Sequence, residues 1–177
     1  SADRCGVMGL HLDSSNNCEI VDNTVTNSFQ GIDVEKSYGN SIHENSLANN
    51  NISIQVYAST GNLVEGNNLT NGNVSIILAA SSGINVFQNN NMTSHTCNLI
   101  VWGSSIEAFM QNIDTSNIVD NKTVYITDSH DLLLNLSNCP NIGYLALVNC
   151  TDVTVKDIDL SNDKDGMLIA QSTNSSL

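Results

Sequence analysis

Asparagine returns every 22 residues, at Asn23, Asn45, Asn67 and Asn89, and glycine keeps the same step at Gly39, Gly61 and Gly83. Few features constrain a fold more tightly. A unit this short has too little apolar surface to bury alone, so copies must stack into a solenoid with a shared interior. The apolar residues agree, because Leu10, Ile32, Ile54 and Ile76 form one column, Leu12, Val34, Val56 and Leu78 a second, and Ile20, Ile42, Val64 and Val86 a third.

Within one repeat, Gly31 to Lys36 alternates apolar and polar as a half-buried strand does, and Ser37-Tyr38-Gly39-Asn40 then supplies turn chemistry. Ile42, Asn45 and Leu47 continue the inward pattern to a polar corner at Asn49-Asn50. Three short strands per repeat, each pairing with its counterpart roughly 4.8 Å away in the next, predict an all-β fold. The expected form is a right-handed single-stranded parallel β-helix of about eight coils of about 22 residues. The single proline, Pro140, suits long uninterrupted ladders.

A side-chain amide both donates and accepts, so stacked asparagines can bond to one another. Asn23, Asn45, Asn67 and Asn89 are therefore read as a structural ladder. The register slips by one near Ile84, and the step has become about 23 by Leu99-Ile100-Val101. Residues 112–144 read as an irregular longer coil or protruding loop. Order resumes at Leu145, where Val155 and Leu160 match Ile42 and Leu47 in phase and Gly166 to Ile169 matches the Gly31 strand.

The expectation is one β-helix domain over residues 1–177. Ser1 and Leu177 fall at matching phases, which suggests a segment of a longer surface protein or a unit that stacks on copies of itself. A formal charge of −13 with five basic residues, Arg4, Lys36, Lys122, Lys156 and Lys164, excludes a phosphate-binding stripe and hence nucleic acid as partner. No apolar run is long enough for a membrane span. Five cysteines, Cys5, Cys18, Cys97, Cys139 and Cys150, lack zinc spacing and read as small buried residues.

Gly31-Ile32-x-Val34 followed by Ser37-x-Gly39-Asn40-x-Ile42-x-x-Asn45-x-Leu47, with copies around residues 9–29, 53–71 and 75–93, resembles a known repeat. It is that of the parallel β-helix proteins of the pectate-lyase-like superfamily, specifically the NosD-like, carbohydrate-binding and sugar-hydrolase type. The stretches Ile113 to Tyr125 and Leu147 to Val155 are similar to the closing coils of archaeal cell-surface members. The resemblance implies the fold and an extracellular or cell-surface location. It leaves activity open, since the superfamily holds lyases, glycosidases, epimerases, adhesins and sheath components.

Chemistry on such a fold belongs to an outward sheet face, where His11, Asp33, Gln55, Ile77 and Ile100 form one lane and Asp13, Glu35, Tyr57, Ala79 and Trp102 its neighbour. Asp13, Asp33, Glu35 and His11 are the catalytic candidates. Paired carboxylates there would raise one another's proton affinity for glycosidase work, and Asp13, Asp33 and Glu35 would suit Ca²⁺, the one cofactor the lanes suggest. A lyase would want a basic group, and only Lys36 is near. The blander alternative is ordinary outward polarity in an acidic chain.

Tyr57 and Trp102 are candidates for stacking on sugar rings, against the alternative that other parts of the protein cover them. His43 is expected to pair with Glu65; His95 and His130-Asp131 fall in less regular stretches. Copper would need clustered His, Met or Cys, and Met8, Met92, Met110 and Met167 sit at unrelated phases. Acceptor patterns for N-glycosylation occur at Asn51, Asn68, Asn73, Asn91, Asn121, Asn135, Asn149 and Asn174. The leading reading is a structural module of a cell-surface, sheath or fibre protein, self-associating or adhesive and without catalysis. The alternative is a polysaccharide-binding or polysaccharide-degrading module; partners would be copies of itself, flanking coils or glycans.

Overall fold

A computed structural model of the chain describes residues 2–3, 6–80, 83–93, 95–128, 132–135, 137–139, 141–160 and 166–177, with backbone only at 2 and 3. It is an all-β solenoid of about seven turns of about 22 residues. After β1 (Ala2–Asp3), which stacks on β4, the first full coil runs through β2 (Met8–Asp13), β3 (Glu19–Val21) and β4 (Thr24–Thr26). The next two are β5 (Gln30–Glu35), β6 (Ser41–His43), β7 (Ser46–Ala48), then β8 (Ile52–Tyr57), β9 (Leu63–Glu65), β10 (Asn68–Thr70). The fourth holds β11 (Val74–Ala79), β12 (Val86–Gln88) and β13 (Asn91–Thr93), and the fifth holds β14 (Cys97–Trp102), the short helix α1 (Ile106–Phe109), β15 (Asn112–Ile113) and β16 (Ile118–Val119).

Corresponding strands stack in parallel into three walls. β2, β5, β8, β11 and β14 form a long-strand sheet, β3, β6, β9, β12 and β15 a short-strand sheet, and the third wall carries β1, β4, β7, β10, β13 and β16. Inward Ile32, Val34, Ile42, Leu47, Ile54, Val56, Val64 and Leu69 are fully buried between them. Each such side chain contributes roughly 1.5–3 kcal/mol by leaving water. The corners need left-handed backbone, which asparagine tolerates better than most residues; Asn27, Asn49 and Asn71 recur there with φ of 58°, 57° and 55°.

The first two expected columns align as read, extended by Leu99 and Val101. The third is corrected by one residue. Phe87, not Val86, follows Val64, because the fourth coil gains a residue at the corner before Asn85. The same slip corrects the asparagine ladder. Asn23, Asn45 and Asn67 bond in succession, but Asn67 continues to Asn90, with its backbone N–H 3.1 Å and its Nδ2 3.0 Å from Asn90 Oδ1. Asn89 is instead an exposed turn residue at φ 55°, in the place held by Gly66 one coil earlier and Glu44 two coils earlier.

Asn117 ends that ladder, and a parallel one runs Asn40, Asn62, Asn85, Gln111. Amide nitrogens of the first ladder also cap core carbonyls, as Asn45 Nδ2 does for Ile20 and Asn67 Nδ2 for Ile42, both at 2.9 Å. The buried ladder amides are thus satisfied without interrupting the apolar interior.

Residues 112–144, expected as an irregular coil or loop, hold a reversal. β16 pairs antiparallel with β17 (Lys122–Thr127) through Asp120-Asn121, both left-handed at φ 46° and 64°. Two consecutive positive-φ residues match the right-handed twist of a tight hairpin. Beyond it come β18 (Leu133–Leu134), β19 (Ile142–Val148), β20 (Thr154–Val155) and β21 (Met167–Ala170). β17, β19 and β21 run parallel to one another and extend the third wall to nine strands.

A coil that keeps its hand while its strands run the other way must wind around the opposite face of the sheet. The side chains sort accordingly. Tyr144, Ala146 and Val148 of β19 join the first core, whereas Ile142, Leu145 and Leu147 join a second with Leu134, Cys139, Cys150, Val153 and Val155. The phase match of Leu145, Val155 and Leu160 to earlier coils is therefore about a different axis. β19 is buried along its whole length.

Candidate functional site

The outward face of the long-strand sheet brings both expected lanes together. His11, Asp33, Gln55, Ile77 and Ile100 are successive ladder partners, as are Asp13, Glu35, Tyr57, Ala79 and Trp102. Strict register follows from the 22-residue spacing and, past β11, from a spacing of 23 that shifts every later strand together. Each lane is then a column of side chains about one strand spacing apart.

At the acidic end, Asp33 is 1% exposed although it points outward. His11 Nδ1 lies 2.9 Å from its Oδ2, and Gln55 Nε2 donates to its Oδ1 at 3.1 Å. Burial pushes the Asp33 carboxyl upward, the neighbouring His11 opposes this, and the charge of Glu35 adds least. Burial, not carboxylate pairing, is the main cause. Asp13 stands beside Glu35 in the ladder, but its carboxylate accepts from Ser14 Oγ at 3.1 Å. Glu35 accepts from Lys36 Nζ, which raises that ammonium's proton affinity.

The ligating atoms of His11, Asp33 and Glu35 lie within 4.8 Å of one another. Asp13, expected to join Asp33 and Glu35 around Ca²⁺, is outside that group, and an imidazole takes its place. Toward β14 the carboxylates give way to Ile77, Ile100 and Ala79, with Tyr57 37% and Trp102 64% exposed. Trp102 therefore stands in the open, away from the acidic cluster, while Tyr57 borders it as the ladder neighbour of Glu35.

The other candidates are dispersed. His43 sits beside Glu65 in the ladder, yet its Nε2 bonds Glu19 at 2.7 Å, while Glu65 accepts from Gln88. His95, unremarkable in the sequence, is buried with Nε2 3.4 Å from Ser53 Oγ, occupying the space above Gly72, where a Cβ would come within 2.9 Å of the ring. Its desolvation lowers its pKa to about 4. Only the missing side chain at Gly72 hints at this. His130, Asp131 and Cys5 lie outside the described residues. Of the glycosylation candidates, Asn68, Asn73, Asn91, Asn121, Asn149 and Asn174 are exposed, and Asn51 and Asn135 are half-buried.

A family model described as periplasmic copper-binding protein (NosD) matches residues 2–131, most of the chain and all of its first winding. The chain belongs to the NosD family. No curated protein and no solved structure matches it. Within this NosD member the described histidine, cysteine and acidic groups converge only at His11, Asp33 and Glu35. One imidazole and two carboxylates suit hard or borderline divalent ions; without sulfur they offer nothing selective for copper. No helix among the described residues is long and apolar enough to cross a membrane, and a NosD solenoid of this kind accords with an extracellular module.

Proposed function

We propose that this protein is a rigid extracellular structural module that adheres to polysaccharide through the outward face of its long-strand sheet. The observation that carries the reading is Trp102. It is the chain's one tryptophan, and it stands 64% exposed on the outward side of β14, whose inward Leu99 and Val101 are buried. An indole held on a stiff sheet loses little freedom on binding and offers a flat apolar face to a sugar ring. Tyr57 in the same lane adds a second ring, and Asp13, His11 and Glu35 lie further along to accept or donate hydrogen bonds to hydroxyls.

Rigidity comes from the asparagine ladders and continuous walls, which makes the coil a suitable spacer at a cell surface. Exposed Asn68 and Asn73 lie off this face and would leave it clear if glycosylated. The test is retention on insoluble polysaccharides and a glycan array, with Trp102→Ala in parallel and sizing across concentration. Retention lost in the variant supports the reading. Unchanged retention, or no retention by either protein, ends it; a concentration-dependent oligomer broken by the same substitution would assign the face to self-association.

A further inference from the structure

The two exposed rings of the binding face are separated by a regular interval. Tyr57 pairs with Ala79 in the ladder and Ala79 with Trp102, so the aromatic side chains sit two strands apart with the smallest chiral side chain between them. Two strand spacings come to roughly 9.6 Å. Ala79 is 7% exposed, a shallow floor between two taller neighbours. Beside it the lane is Gln55, Ile77 and Ile100, which carries no charge, whereas carboxylates begin one strand further at Glu35.

We propose, resting on the glycan reading of this face, that its ligand is an uncharged, extended β-1,4-linked glycan lying parallel to the solenoid axis, one sugar per strand. Such a chain advances per sugar by nearly one strand spacing and turns over at each linkage, so every second ring presents the same face. Rings one and three then stack on Trp102 and Tyr57, and ring two crosses Ala79, where a larger side chain would lift it off. A polyuronate is disfavoured by the carboxylates of Glu35 and Asp13 and by a net charge of −13. An α-1,4-linked chain curves and does not keep the two-strand interval.

The sole tryptophan reports on the contact directly. Its fluorescence is followed while β-1,4-linked glucose and N-acetylglucosamine oligomers of increasing length are added, with the α-1,4-linked glucose series as comparison. Because the third ring adds a second stack, the Kd of the β series falls about tenfold from disaccharide to trisaccharide. Ala79→Leu lifts ring two from the face, so it abolishes that step and weakens the disaccharide as well, while the folded spectrum is unchanged. Equal binding of both series, or affinity that does not change between one sugar and three, overturns the register but leaves the glycan reading standing. Failure of every oligomer to bind overturns both, as does a tryptophan signal that responds only to protein concentration.

Discussion

The two windings solve the same problem with different shares of amide and hydroxyl. In the first, amides fill most corner positions beside the hydroxyls of Ser37 and Ser59, and Asn67 accepts from Asn45's backbone and side chain and donates to Ile42 and Asn90. In the second, hydroxyls do the work, with Ser172 Oγ accepting from the Cys150 N–H at 3.1 Å and Ser175 Oγ from the Val153 N–H at 3.3 Å. A hydroxyl has one proton where the amide has two, so it can donate either to a core carbonyl or to the next coil but not to both at once. A 22-residue coil thus fixes the need for corner partners, and the partner's number of donors decides how firmly neighbouring coils are joined.

Removing a ladder amide should break this contrast most visibly. Asn67→Ala orphans an acceptor and two donors in the interior, and should cost about 3–5 kcal/mol, while Ser172→Ala at a half-exposed corner should cost about 1 kcal/mol. Urea unfolding measures both, and equal losses would refute the distinction between amide and hydroxyl corners.

Acid should loosen the first winding next. His95 is held neutral in the fold with a pKa of about 4 against 6.5 when free, so between those values the unfolded chain binds the extra proton. Stability therefore falls as pH drops through this window, by about 3 kcal/mol in all, and the loss is complete near the lower value. Denaturation midpoints for the protein and His95→Gln across that range check it. A parallel pH dependence in both would remove His95 as the cause.

The smallest effect belongs to the joint between windings. Asn121 sits at φ 64°, where a Cβ-bearing residue without a local polar side chain is strained, so Asn121→Ala should cost about 1 kcal/mol and Asn121→Gly almost nothing. Thermal melts of the two variants distinguish a hairpin from a loop, since a loop would be indifferent to both.

The repeat made most of the first winding legible. Leu12, Val34, Val56 and Leu78 read as one column and form one, and the outward lanes fell into place because parallel register leaves each residue a single partner. The slip at Ile84 was visible, but its consequence was not: one inserted residue moves both the ladder and the core column forward, from Asn89 to Asn90 and from Val86 to Phe87. Around the acidic lanes, the identity of the neighbours could be read while their contacts could not. Whether Asp13 or His11 joins Asp33 and Glu35 depends on rotamers, which carry no periodicity.

The amino-acid sequence by itself determined that this protein stacks its coils, because a step of 22 residues with inward aliphatics and corner amides has no other way to bury its apolar faces. It also determined which residues are vertical neighbours. The reversal at Asp120-Asn121 was decided only by tertiary structure, since alternation along a strand is the same in either direction and says nothing about which face encloses a core. β19 shows the reason: both of its faces are apolar, and packing alone allotted Tyr144, Ala146 and Val148 to one axis and Ile142, Leu145 and Leu147 to the other.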